Sequence, residues 1–494
     1  MIGLSALPLL AYKVGPNLFD LSSQMYRVSL RDQMHRAVAL AESLVQGRQV
    51  ERNSQVLIVG AGVAGVAAGI VLARHGVQVQ IIDVSNDAPF ALQRNVVDRS
   101  VGAYMYEWPL DIHASQQIPP AAASPLHFWT AGVDPALPCT NTYPAAPDAL
   151  VGDWDAELNK SMKHAGGQLR LQVGVLRGPT NAAISAWLAA QRLAFSRRLT
   201  HASHNIVVTG GTPWRGFNAP FTPLRPRFVL LAAGMGTENC QLKDVGSGVV
   251  VFQGKSFWAN DDILKGQCGC ASAPRVVVLG GGDGGLQDCL RALTSQPDPL
   301  VTWNDLLKTH RTLLESHQPV LTSLEAQHAQ TEIWAAANAV RSDAQRVLDE
   351  AYANAAGKLA QSASLAGEVI AQLRPDVKSV HLCIRENYFT KAYGLNRFMV
   401  HLFEQCLLQH GNRTDKERFK VIRQCSFHSL SGAAPTWQVK FDTGLLLDAE
   451  VLVVRYGADT SMLPGQWLGL TRQDTVNRQE LAAVPLPLYL PPSV

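Results

Sequence analysis

Two short stretches of this chain combine residue types and spacings that suit the phosphates of a dinucleotide. The first is Gly60-x-Gly62-x-x-Gly65, with Ala64 inside it and an acid, Asp83, 18 residues after Gly65. The second is Gly280-x-Gly282-x-x-Gly285, with Asp283 in its fourth position. In such a motif the first glycine permits a tight turn. The second lets backbone approach a pyrophosphate, and the third lets helix and strand pack closely. The phosphates then meet free N–H groups and the positive dipole end of a helix. Asp83 stands where a carboxylate can take both ribose hydroxyls.

The flanking sequence supplies the elements that must hold these residues. Val56–Val59 is an apolar run, a helical pattern follows to about His75, Gly76 closes it, and Val77–Ile82 is a second apolar run. Ser54–Asp83 is therefore expected to be one βαβ unit. Val276–Leu279 opens a second unit. Its downstream half is weaker: Leu300-Val301-Thr302-Trp303 is expected as the next strand, with Asp305 as a ribose ligand, and no basic cluster follows to read a 2′-phosphate. A carboxylate at Asp283 is unfavourable beside a pyrophosphate unless it turns into the helix N-terminus. The second unit thus either binds NADPH or NADH or is a structural copy.

Between and around the two motifs the chain offers further candidates. Arg94 and Arg99 can neutralise phosphate, and Tyr104, Tyr106 and Trp108 can stack on rings; the same stretch also reads as a loop anchored by buried aromatics. Phe128 and Trp129 call for burial in an ordered loop. Phe228–Leu231 is a buried strand, and Ala232-Ala233-Gly234 after it gives small residues where a chain passes a cofactor closely. Residues 27–46 are expected to form a helix capped by Ser29, with Met34, Val38, Leu40, Leu44 and Val45 as its apolar stripe. Helices over 153–165 and 181–198 and strands over 168–176 and 205–209 follow. Residues 305–372 carry two to four helices, read as an insertion not needed to hold a nucleotide. The Pro/Leu-rich tail, Pro485–Pro492, is expected to lie extended.

Composition narrows the class. The chain has 494 residues, 47% hydrophobic and 17% charged, which calls for two to three globular domains. Lys and Arg number 43 against 40 Asp and Glu, so charge gives no reason to expect a nucleic acid or a bilayer. No run of about 18 apolar residues suggests a membrane span, and the N-terminus has no basic leader. The eight cysteines form no zinc-type pair of CxxC motifs, so no metal site is expected and the cytoplasm is the expected compartment. Cys268-Gly269-Cys270 precedes the second motif; as a CxC it closes a strained ring, so redox work is not expected of it.

These motifs bring out a resemblance. Leu92-Gln93, Arg99, Tyr104 or Tyr106 with Trp108-Pro109, and Gly282-Asp283-Gly284-Gly285-Leu286 resemble a subgroup of bacterial FAD-dependent oxidoreductases with two dinucleotide-binding domains. The family's usual His-Pro ahead of the Tyr is absent, with Val101-Gly102 near its place. The resemblance implies an α/β fold of two Rossmann-like domains, non-covalent FAD in the first, and redox chemistry carried by the flavin. It also implies that an acid after the last strand of the first sheet meets the ribityl chain; Asp459, after Val451–Val454, is the candidate. The expected organisation is an N-terminal segment 1–50 packed on the first domain, an FAD-binding domain made of 51–250 and 375–494, a second nucleotide unit 251–304, and a helical insertion 305–374 that can also make a homo-oligomer interface. No catalytic side chain is assigned. The expected function is reduction or monooxygenation of a small organic substrate with NAD(P)H; the alternatives are an amine or amino-acid oxidase-like enzyme and an FAD-holding sensor without turnover.

Overall fold

A computed structural model describes residues 9, 12–21, 30–101, 108–109, 136–137, 145–196, 204–234, 236–334 and 338–459. Ser29, Tyr104, Tyr106, Phe128, Trp129 and the tail at 485–492 lie outside them.

The first sheet contains seven strands in the order β1-β2-β7-β3-β4-β5-β6: β1 Lys13–Gly15, β2 Leu18–Asp20, β3 Gln55–Val59, β4 Gln78–Ile82, β5 Leu169–Val175, β6 Gly210–Pro213 and β7 Phe228–Leu231. Strands β2, β7, β3, β4 and β5 run parallel, with β1 and β6 antiparallel at the two edges. Alternate side chains of β3 and β4 go to opposite faces, as strand geometry requires. Val56, Ile58, Val79 and Ile81 pack under α1 (Leu30–Gln46) and α2 (Val63–Arg74), while Leu57 and Ile82 join Trp187 of α4 (Arg177–Ser196) on the other face. The expected stripe of α1 is buried at Met34, Val38, Leu40 and Leu44. Helix α3 (Pro147–His164) lies on the first face through Leu150, Trp154 and Leu158.

The second sheet has four parallel strands in the order β10-β9-β8-β14, with β8 Arg275–Leu279, β9 Ser379–Cys383, β10 Phe419–Ile422 and β14 Val451–Val454. A three-stranded antiparallel sheet, β11 (Phe427–Ala433), β12 (Thr436–Phe441) and β13 (Leu446–Ala449), leads into β14. Two expectations are corrected here. Residues 375–454 do not return to the first sheet: β9, β10 and β14 all pair within the second. The helices are also not a removable insertion. α5 (Asp283–Thr294), α6 (Pro299–Glu315), α7 (Gln318–Trp334), α8 (Asn338–Leu359) and α9 (Ala363–Ala371) form the crossover from β8 to its neighbour β9. Trp303, Leu306, Leu348, Tyr352 and Leu365 share one core with Val276 and Val278 of β8 and with α10 (Gly394–His410). Removing them would strip the second sheet of its cover.

The apolar Leu300–Trp303 run is helix, not strand. Pro299 opens α6, and Asp298 caps it by accepting hydrogen bonds from the N–H groups of Leu300 and Val301. Asp305 therefore sits on a helix, paired with Lys308 at 2.7 Å, and is no ribose ligand.

Candidate cofactor site

In the first unit β3 hands directly to the glycine turn. Gly60 has φ +109°, and a Cβ there would strike the carbonyl of Ala232, which follows β7 and donates its own N–H to Val59 at 2.7 Å. The small residues after β7 therefore pass against this turn, as expected. Gly65, in the first turn of α2, leaves no room either: a Cβ would enter the van der Waals shell of the Gly60 carbonyl oxygen. Gly62 differs. It is the N-cap of α2, no side chain caps the helix, and no protein atom lies within 4 Å of where its Cβ would be. The N–H groups of the first turn, Ala64 included, thus end at an open face bounded by backbone, which is the shape a pyrophosphate needs. Asp83 follows β4; its Oδ2 accepts from the Ala61 N–H at 2.7 Å and its Oδ1 from the Ser85 N–H at 2.8 Å. The carboxylate is fixed at the lip of the glycine turn with lone pairs left for hydroxyl donors. Gly234, at φ +84°, also has open space beside it.

Three sequence candidates do not join this cradle. Arg94 holds Asp155 through both Nη atoms, at 3.2 and 3.0 Å, and donates to the carbonyls of Asp87 and Pro89. Arg99 is fully buried and bound to Asp288 at 2.7 Å and Asp261 at 2.9 Å, with the Phe257 ring 4.1 Å from its guanidinium carbon. Neither guanidinium is available to a phosphate. Asp459 lies in a two-residue strand, Ala458–Asp459, paired with Thr237–Glu238; the strand before it belongs to the second sheet, so the expected ribityl contact loses its basis. Trp108 is likewise a core residue of the second unit, 5.3 Å from Trp303 and 5.0 Å from Phe398 between ring centroids.

The second glycine turn repeats the first. Gly280 has φ +132°, and a Cβ on it would strike the Arg455 carbonyl; a Cβ on Gly285 would strike that of Gly280. Gly282 is again the N-cap of its helix, α5. Asp283 does turn away, into the start of α10: its Oδ1 accepts from the Tyr393 N–H at 3.1 Å and from Asn396 Nδ2 at 2.6 Å. Burial pushes its carboxyl up to about 6, against the opposing pull of those two donors. The Thr390 N–H donates to the Gly281 carbonyl at 2.9 Å, so the loop after β9 lies across one side of this turn.

Sequence reading missed the charged pair at the carboxyl end of β9. Arg385 is exposed and bound to Glu386 at 2.7 Å. An Arg or an acid after the strand next to a glycine turn is the usual reader of the adenosine ribose. The signal was the pattern Ser379–Cys383 followed by charge, hidden by a crossover several times the ordinary length.

Cys268 and Cys270 sit in a tight turn. Burial pushes the Cys268 thiol up to about 11, and burial also raises Cys270. Thiols held protonated are poor nucleophiles. The double variant Cys268→Ser with Cys270→Ser is expected to keep flavin reduction within about twofold of wild type; a charge-transfer band on anaerobic reduction that vanishes in the variant would show the opposite.

Comparison with known proteins agrees with the first cradle. The family model of the FAD binding domain matches residues 53–94. No curated protein sequence matches the chain. Solved structures with a similar trace include bacillithiol disulfide reductase Bdr (YpdA) from Staphylococcus aureus (12% identity, TM-score 0.36, 83% of this chain and 77% of that one), the thioredoxin reductase of T. acidophilum (14%, 0.30, 82% and 78%) and a Cu(II) complex of the HOCl-induced flavoprotein disulfide reductase RclA from Escherichia coli (11%, 0.33, 85% and 60%). The chain thus spans about three fifths of RclA, and likenesses at this level do not decide a function. Among the described residues no helix is long and apolar enough to cross a membrane. The match over 53–94 falls on the first βαβ unit, whose turn, helix and acid are all built and open, and that unit is accordingly the FAD-binding cradle of a chain built from two α/β units.

Proposed function

We propose that this chain is an FAD-dependent oxidoreductase that draws reducing equivalents from NADPH or NADH and delivers them to a small organic substrate, as a reductase or monooxygenase. FAD, once bound, supplies the two-electron chemistry. The chain's own part is to hold the pyrophosphate on the N–H groups at Gly62–Gly65, to orient the ribose through Asp83, and to present a second nucleotide to the first. One observation carries the reading: the first and third glycines of the second turn, Gly280 and Gly285, meet the same steric demands as Gly60 and Gly65, and a charged pair follows β9. A turn kept only for packing has no need of an uncapped, extended Gly282 at its mouth.

A second reading, in which the substrate itself reduces the flavin as in amine oxidases, draws support from the Thr390–Gly281 bond and the fixed Asp283, which narrow the second turn. Anaerobic stopped flow separates the two. NADPH or NADH is expected to bleach the flavin of the wild type, and Gly282→Val is expected to slow this at least about 100-fold with FAD content unchanged, about 2.7 kcal/mol of lost nucleotide binding. Flavin left oxidised by both nucleotides would favour the second reading.

A further inference from the structure

The two glycine turns can be set against each other position by position. The Gly60 N–H donates to the Ile82 carbonyl at 2.8 Å, and the Gly280 N–H donates to the Cys383 carbonyl at 3.0 Å. In the parallel ladders Val59 pairs with Ile82, and Leu279 pairs with Cys383. Cys383 thus occupies the place of Ile82, Ile384 that of Asp83, and Arg385 that of Val84.

The exchange at Asp83 alters what the second turn can hold. In the first unit the Asp83 carboxylate reaches the Ala61 N–H at 2.7 Å. In the second, Ile384 is buried, and its Cγ2 lies 3.1 Å from where a Cβ of Gly281, the counterpart of Ala61, would stand. The isoleucine fills the spot beside the turn that the first unit gives to its acid. An acid there accepts the 2′-hydroxyl of an adenosine ribose and repels a phosphate on it. Isoleucine does neither. The next residue brings the opposite charge. The Arg385 side chain is 77% exposed, and Glu386 Oε1 accepts from its Nε at 3.0 Å and its Nη2 at 2.7 Å. An exposed pair of this kind is weak. A phosphate that meets the guanidinium with two parallel bonds and a larger charge displaces the carboxylate.

We propose that the second turn takes NADPH in preference to NADH, with Arg385 as the ligand of the 2′-phosphate. The proposal rests on the nicotinamide reading above and adds to it the choice of nucleotide. Two neighbouring residues act in the same direction. Ile384 leaves the 2′-hydroxyl of NADH without the acceptor that Asp83 provides in the first unit, and Arg385 gives the 2′-phosphate of NADPH a counter-charge. Neither residue belongs to the FAD cradle.

The test is isothermal titration calorimetry of the FAD-loaded full chain with NADP⁺ and with NAD⁺, which bind without reducing the flavin. NADP⁺ is expected to bind about 100-fold more tightly than NAD⁺. In Arg385→Gln this ratio is expected to fall to about 3, and in Arg385→Lys, which keeps the charge but loses the planar fork, to about 20. Arg385 is exposed, so both variants are expected to fold and to keep the visible absorbance of bound FAD. Equal binding of the two nucleotides, tighter binding of NAD⁺, or an equal weakening of both in Arg385→Gln would each overturn the assignment of Arg385 and leave the nicotinamide reading standing. Binding of neither nucleotide would overturn both.

Discussion

Gly62→Val is expected to give a folded but colourless protein, whereas Gly65→Val is expected to lose the native fold. The two glycines stand three residues apart in one motif and do opposite things. At Gly62 the backbone is extended, with φ −75° and ψ −177°, a conformation valine adopts freely, and an added Cβ has no atom beyond its chain neighbours within 4 Å. Folding stability should stay within about 0.5 kcal/mol of wild type. The added methyls instead fill the open face at the start of α2, so FAD affinity should drop by more than about 100-fold, roughly 3 kcal/mol. At Gly65 a Cβ enters the shell of the Gly60 carbonyl and comes within 3.2 Å of Ile58 Cγ2. Backbone cannot give way there without pulling α2 off β3, and the cost should exceed about 3 kcal/mol. Visible absorbance after gel filtration measures the first effect, and thermal unfolding followed by circular dichroism measures the second. A yellow Gly62→Val protein would remove the pyrophosphate from this face.

The contrast shows what the sequence could convey. Nearly all of the first cradle lies within Ser54–Asp83: a strand, a turn that only glycine can make, a helix and a strand in immediate succession. Local rules suffice for such a unit. The only distant piece, the small residues after β7, was readable because a buried strand ending in Ala-Ala-Gly needs close passage to make sense. Where the outcome depended on distant partners, local reading went astray. Leu300–Trp303 is apolar enough for a strand, and the decisive residues were Asp298 and Pro299 just before it, which start a helix. Val451–Val454 would suit either sheet by composition; its pairing with β8 is fixed by the antiparallel hairpins that deliver it there. Arg94 and Arg99 have the chemistry of phosphate ligands. What removes them is Asp155 in one case and Asp288, 189 residues away, in the other. A fixed charge partner across such a span leaves no local trace.

That second partner predicts the largest loss of stability. Asp288→Asn is expected to cost about 3–5 kcal/mol at pH 7. Asp288 lies on α5, fully buried, and meets Arg99 at 2.7 Å, Arg291 at 2.7 Å and Arg455 at 2.8 Å. These arginines come from the chain leaving the first unit, from α5 itself and from the end of β14. Asp261 takes further bonds from Arg99 and Arg291, and Glu238 stands 3.7 Å from Arg455. With Asp288 neutral, three buried guanidinium groups face only two carboxylates, one of them at the edge of the cluster. Burial alone would raise the Asp288 carboxyl, but Arg99, Arg455 and Arg291 outweigh it and hold it well below the usual carboxylate range. The sign of the pH effect follows. A depressed folded value contributes stability that is complete above the unfolded value, about 4 for aspartate, and that fades as pH falls toward the folded one. Wild type should therefore lose its advantage over Asp288→Asn between pH 4 and lower pH, and the two denaturant midpoints should converge there from a wide gap at pH 7. Flavin content separates this from a cofactor effect, since Asp288 touches nothing in the first cradle: FAD bound per folded molecule should be the same in both proteins. Equal urea midpoints at pH 7 would mean that the cluster adds nothing to the joint between the two units, and Arg99 would then return as a candidate for the phosphate.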